Sequence, residues 1–128
     1  MSNKNKFYIC EKCGNLVQLL ESSGAKLSCC GQHMKELEAG VVEASREKHI
    51  PVVSVRDNEV EVYVGSAVHP MQEEHSILWI YLETDKGGHR KELKPGEAPS
   101  ASFLLASGER AIAAYAYCNL HGLWKAEI

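Results

Sequence analysis

Four of the five cysteines fall within the first thirty residues, and the second pair of them is adjacent. Cys10-x-x-Cys13 is a knuckle, in which two intervening residues make a tight turn that aims both thiolates at one ion. Cys29 and Cys30 follow after a spacer of fifteen residues. Four thiolates suit Zn²⁺ or a single tetrahedral iron, and the spacing alone leaves both open. Neighbouring residues on an extended strand point to opposite faces. The chain must therefore bend sharply at Cys29-Cys30, and Gly31 directly after them permits a bend. An odd cysteine count does not suit a disulfide scaffold. Met1 to Lys6 is polar and carries no apolar signal segment, so the expected compartment is a reducing cytoplasm, where clustered thiols bind metal or do redox chemistry.

These cysteines belong to a small N-terminal piece. Phe7-Tyr8-Ile9 and Leu16 to Leu20 are short apolar runs, with turn signals at Gly14-Asn15 and Ser22-Ser23-Gly24. A piece this short has too little apolar surface to fold unaided and needs a metal or disulfides. Residues 1–37 are expected to form this domain and residues 38–128 a second one. Glu38 to Lys48 reads as a connector followed by a loop.

From Ile50 onward the pattern is strand-like. Val52, Val53 and Val55 lead to a turn at Asp57-Asn58. Val60, Val62 and Val64 then alternate with Glu59, Glu61 and Tyr63, the period of a half-buried strand. Ile77 to Leu82 suits a central strand and His89 to Lys94 an edge strand. Ser102 to Ala106, Ala111 to Cys118 and Leu123 to Ile128 follow. Ala111 to Tyr117 is rich in alanine, but Gly108 before it and its two tyrosines favour strand over helix. About seven short strands without βαβ alternation predict a mainly β chain, with an immunoglobulin-like antiparallel β-sandwich after the metal-stapled piece.

The histidines are distributed the other way. Only His33 of the six lies in the N-terminal piece. His49, His69, His75 and His121 sit at expected strand ends or in loops, and Cys118 stands three residues before His121, a chelating spacing. Four imidazoles and one thiolate exceed the four ligands at which structural zinc closes. Imidazole suits iron or copper, and an open position invites a small ligand. The net charge of −3 argues against a nucleic-acid partner. The apolar run Ile77 to Leu82 is far too short for a membrane span.

The two sets together carry a resemblance. Cys10-x-x-Cys13 … Cys29-Cys30 resembles desulforedoxin. Glu47-Lys48-His49-x-Pro51, His69-Pro70-x4-His75 and Cys118-Asn119-x-His121-Gly122 resemble superoxide reductase. Jointly the chain is similar, over essentially its whole length, to the desulfoferrodoxin family. That resemblance implies two iron ions per chain. Cys10, Cys13, Cys29 and Cys30 would hold the first. His49, His69, His75 and His121 would be equatorial ligands of the second, with Cys118 as its axial thiolate. It implies reduction of superoxide to hydrogen peroxide by one electron, without oxygen release. The electron would come from rubredoxin or a similar small carrier, in a cytoplasmic homodimer.

In this frame Lys48 supplies a local positive charge for an anionic substrate and orders a water for protonation. Glu47 is expected to bind the open position of oxidised iron. Backbone N–H groups of Asn119 and Leu120 are expected to tune Cys118. Pro70 and Pro51 are expected to fix the loops beside His69 and His49. Trp79, Trp124, Tyr115 and Tyr117 are expected in the core or site wall, and His33 and His89 on the surface. The rival readings are a zinc-ribbon-like module on an interaction domain and a two-iron electron carrier without a substrate site. The first leaves the histidines unused, and the second leaves Glu47-Lys48 unused.

Overall fold

The computed structural model describes residues 6–128. Met1–Asn5, which include most of the polar start noted above, lie outside the described residues. The chain forms two compact units, Met1–Glu38 and Ala39–Ile128.

In the first unit β1 (Lys6–Ile9) lies between β2 (Leu16–Leu19) and β5 (Lys35–Glu36), antiparallel to both. A separate hairpin joins β3 (Ser28–Cys29) and β4 (Gln32–His33). Among the described residues of this unit, only Phe7 and Cys10 are buried apolar side chains. The strands are too short and too one-sided to enclose a core of their own.

The second unit begins with a feature that the alternation pattern did not announce. Arg46–His49 forms a single helical turn, α1, where a loop was expected. The N–H of Ile50 closes the turn on the carbonyl of Arg46 at 2.9 Å. Pro51 then stops it, because the residue before a proline is pushed to extended backbone, and Ile50 has ψ 124°.

Seven strands follow: β6 (Pro51–Arg56), β7 (Glu59–Val64), β8 (Ile77–Thr84), β9 (Gly87–Glu92), β10 (Ser100–Leu104), β11 (Ala111–Cys118) and β12 (Gly122–Glu127). They make two antiparallel sheets, in the orders β10-β7-β6 and β12-β11-β8-β9. This is the immunoglobulin-like sandwich. Val60, Val62 and Val64 from one sheet meet Ile80, Leu82, Ala114 and Ala116 from the other. Ala114 and Ala116 of β11 face this packed interior, where small side chains fit.

The alternate residues of β8 and β11 form a second layer. Trp79 stacks on Tyr117 with ring centroids 5.6 Å apart, and Tyr81 approaches Tyr115 at 6.0 Å. These rings line the other face of the four-stranded sheet rather than the space between the sheets.

Candidate metal centres

The first cluster is shaped by backbone turns. The N–H of Cys10 donates to the Asn15 carbonyl and the N–H of Gly14 to the Cys10 carbonyl, both at 2.8 Å, which closes the knuckle. The sharp bend at the adjacent pair is a two-residue hairpin turn. Cys30 has φ 55° and Gly31 φ 77°. Two consecutive left-handed residues are the signature of a type I′ turn, whose twist matches the flanking strands. Gly31 enters that region freely, whereas Cys30 does so at a cost of roughly 1–2 kcal/mol. Cys29 and Cys30 thereby aim the same way although they are neighbours.

Cys13 Sγ lies 3.6 Å from Cys29 Sγ, and Cys29 Sγ lies 3.9 Å from Cys30 Sγ. Four thiolates about 2.3 Å from a tetrahedral ion stand about 3.8 Å apart, so these spacings fit one ion. The electrostatics agree. The N–H of Cys13 and then that of Lys12 pull the Cys10 thiol down to about 6, against partial burial. Hydrogen bonding to Cys13, then Cys10 and Cys29, pushes Cys30 up to about 12. Thiolates packed this closely share protons unless a cation stands between them.

The second cluster gathers at one end of the sandwich. His49 ends α1, His69 follows β7, His75 precedes β8, Cys118 ends β11 and His121 lies in the turn to β12. The ligating atoms of His49, His75, Cys118 and His121 all lie within 4.8 Å of one another. His69 joins them through its ring, with Nε2 3.1 Å from His49 Nε2. His49 Nε2 is also 3.1 Å from His121 Nδ1, and Cys118 Sγ is 3.9 Å from the same Nδ1.

Backbone carbonyls decide which nitrogens face inward. His49 Nδ1 donates to the Ser45 carbonyl at 2.6 Å and His69 Nδ1 to the Pro70 carbonyl at 2.7 Å. A carbonyl accepts only from N–H, so each ring carries its proton on Nδ1 and turns the Nε2 lone pair into the cluster. His75 Nε2 is buried without a protein partner. Inward lone pairs at contact distance repel one another unless a cation receives them, and N–H to carbonyl contacts of this kind orient metal-bound histidines. Burial lowers His49 and His75 and takes His69 down to about 4, so these rings are neutral at pH 7.

Cys118 is wholly buried, and burial pushes its thiol up. The N–H groups of Leu120 and His121 oppose that shift. The expected pair was Asn119 and Leu120. The N–H of Asn119 is instead used on the Ser76 carbonyl at 3.2 Å. A register shift between Tyr117 and Cys118 on β11 re-aims the thiol toward the sandwich end. Trp124 closes the wall. Its Nε1 donates to the His121 carbonyl at 3.0 Å, and its ring lies 5.0 Å from that of His49.

One contributor gave no chemical signal in the sequence. A Cβ on Gly65 would stand 2.6 Å from the Glu47 carbonyl oxygen and 2.9 Å from that of Ile50. The α1 turn therefore rests directly on backbone. The N–H of Ala67 at 2.8 Å and the hydroxyl of Ser66 at 3.3 Å both donate to the Glu47 carbonyl. That cradle fixes the peptide carrying Glu47 and Lys48, whose side chains are exposed. The Ser45 hydroxyl donates to the Glu47 carboxylate. The positive charge of Lys48 contributes to the lowering of both His49 and His75, which places it within electrostatic reach of the cluster.

Residues 41–127 match the family described as Desulfoferrodoxin, and residues 2–37 match its N-terminal domain. This chain belongs to the desulfoferrodoxin family. It is 45% identical to the desulfoferrodoxin of Nitratidesulfovibrio vulgaris, over 99% of each chain. It is 44% identical to a desulfoferrodoxin homolog of Archaeoglobus fulgidus, over 98% of each. Among solved structures, the superoxide reductase of Treponema pallidum superposes with TM-score 0.81 at 38% identity, over 96% of this chain and 98% of that one. The one-iron superoxide reductase of Giardia intestinalis superposes with TM-score 0.55 at 34% identity, over 64% of this chain and 97% of that one. Desulfoferrodoxins have two iron sites, and this member has a donor set for each. His33 and His89 stand outside both. His33 is exposed against Ser28, while His89 is half-buried and bonds the Glu109 carboxylate at 3.0 Å, so it is a paired residue rather than a bare surface one.

Proposed function

We propose that the chain reduces superoxide to hydrogen peroxide at the His/Cys cluster, with iron held by His49, His69, His75, His121 and Cys118. Cys10, Cys13, Cys29 and Cys30 hold a second iron. The observation that carries the reading is the convergence of inward imidazole lone pairs on a buried thiol at one end of a rigid sandwich. The family's activity on superoxide agrees with it. Bound there, iron supplies the single electron that superoxide accepts.

The protein's own groups do the rest. Five protein donors would hold the iron, and a small ligand would reach it from the exposed side. His75 and His121 are half-buried while His49, His69 and Cys118 are buried, so the cluster is closed on the sandwich side and accessible near His75 and His121. The chain carries net charge −3, which repels an anion at long range. Lys48 at the mouth reverses the local field, draws superoxide in and hydrogen-bonds the oxygen that must be protonated. Two protons from solvent complete the product. The N–H groups of Leu120 and His121 hold charge on the Cys118 sulfur and so tune the iron's readiness to give its electron. Glu47, whose carboxylate accepts from the Ser45 hydroxyl, would be the internal anion available to oxidised iron.

A small one-electron carrier such as rubredoxin returns the electron. Five free thiols suit a reducing compartment, the cytoplasm. Two chains pair, which sedimentation of the iron-loaded protein checks. Among the described residues no helix is long and apolar enough to cross a membrane.

Stoichiometry tests the reading. Mixing the reduced, iron-loaded protein with superoxide should give one peroxide for each superoxide and release no oxygen. Oxygen release would make the chain a dismutase. Cys118→Ser should abolish the thiolate-to-iron absorption of the second site and nearly all reduction. Wild-type turnover in that variant would remove the thiolate from the chemistry.

A further inference from the structure

Cys118 and His75 come from distant parts of the chain, and one side chain joins them. Asn119 directly follows Cys118. Its Oδ1 accepts the backbone N–H of Ser76 at 3.0 Å, and its Nδ2 donates to the Glu74 carbonyl at 3.1 Å. These two bonds grip the peptide groups on either side of His75. The backbone N–H of Asn119 adds a third bond, to the Ser76 carbonyl at 3.2 Å.

The loop so held is small and self-contained. The N–H of Gln72 donates to the His75 carbonyl at 2.9 Å, and the N–H of His75 returns to the Gln72 carbonyl at 3.1 Å. No protein hydrogen bond holds His75 Nε2, which is buried without a partner, and the ring meets the edges of His69 at 4.7 Å and His121 at 5.1 Å between centroids. The bonds that fix the loop backbone therefore fix the point from which the ring reaches those neighbours. His49 and His69 differ, since each has a carbonyl on its Nδ1 to fix the ring directly.

We propose that Asn119 is a positioning residue for the second metal centre: its carboxamide fixes the His75 imidazole relative to the Cys118 sulfur. A carboxamide offers one acceptor and one donor on a single rigid plane, which is what a carbonyl and an N–H flanking one residue require. Aspartate keeps the acceptor and loses the donor. Alanine loses both. The inference rests on reading this cluster as an iron site.

The test uses full-length Asn119→Ala and Asn119→Asp, loaded anaerobically with ferrous iron. Three quantities are measured: iron affinity at the second site, the energy of the thiolate-to-iron band with the midpoint potential, and amide exchange at Ser76. Asn119→Ala should bind iron about 10- to 100-fold more weakly, the loss usual when a group orienting a ligand is removed. Its band and potential should move, and Ser76 should exchange faster. Asn119→Asp should keep Ser76 protected and fall between alanine and wild type in affinity.

A residue that only added stability would lower the melting temperature without moving the band or the potential, and that result overturns the proposal. Wild-type affinity and band in Asn119→Ala do so too. Should Asn119→Ala not fold, Asn119→Asp decides, with intermediate values supporting the proposal and wild-type values overturning it. Failure of the wild-type chain to take iron at this site would instead overturn the underlying reading of the cluster.

Discussion

The two metal centres are built in opposite ways. In the first unit two turns bring four thiols together, and only Phe7 and Cys10 among its described residues are buried apolar side chains. In the second unit two sheets enclose Val60, Val62, Val64, Ile80, Leu82, Ala114 and Ala116 before any donor is considered. The donors then hang from the ends of strands that this core already fixes. With an ion in each donor set, the first site would hold its fold together, whereas the second would be held by its fold. That difference explains why one donor set is local in sequence and the other spans His49 to His121.

Removing the metals should break the comparison most visibly. Structural ions supply roughly 10–16 kcal/mol to small metal-folded peptides at neutral pH. After anaerobic chelation, β1, β2 and β5 are expected to lose amide protection entirely, while β7, β8 and β11 keep theirs. Persistent protection in β1 would show a core that the packing does not account for. Cys13→Ser should act on the first unit alone, emptying its centre and leaving superoxide reduction at the second. A large fall in that reduction would make the first centre a participant in turnover.

The same contrast governs what could be read before the structure was known. The knuckle and the bend at Cys29-Cys30 follow from spacing, because turn chemistry is local. The strands of the sandwich follow from alternation in Val60, Val62 and Val64 and from the run Ile77 to Leu82. Long-range contacts left no such mark. Gly65 is one glycine among ten in composition, and only the approach of the α1 turn to within 2.6 Å of its missing Cβ shows its task. The α1 turn itself is a single turn, too short for helical periodicity. The resemblance points the backbone N–H of Asn119 at the thiolate, yet that N–H donates to the Ser76 carbonyl and the carboxamide holds the loop bearing His75.

Lys48 separates the two units in kinetics. It stands by the second cluster, where its charge acts on His49 and His75. Lys48→Ile is expected to slow the second-order reaction with superoxide by about tenfold at low ionic strength, the lower end of electrostatic steering. The gap should narrow as salt rises, because an exposed charge is screened within about a Debye length. Iron content and both visible spectra should stay unchanged. An unaltered rate at low salt would remove the steering role and leave the substrate's approach to diffusion alone.

The smallest effect concerns a carboxylate that belongs to neither donor set, and it isolates the sandwich's own stability. Glu109 accepts from Thr84, from the Ala106 N–H at 3.0 Å and from His89 at 3.0 Å. The Thr84 hydroxyl first, then the Ala106 N–H and His89, hold its carboxyl down to about 2 from an ordinary 4.5. A depressed carboxylate contributes stability that is fully present above the unfolded value near 4.5 and is lost as pH falls toward 2. The unfolded chain binds the proton first across that window, so folding weakens on acidification. Glu109→Gln has no such proton to take up. Urea unfolding of the metal-free protein, followed through Trp79 and Trp124, should show a shallower loss of stability between pH 4.5 and 2 in the variant than in the parent. Ligand histidines and cysteines titrate alike in both proteins, so the difference between them belongs to Glu109. Identical slopes would mean that the bonds joining Thr84, His89 and the Ala106 N–H to this carboxylate do not persist in solution.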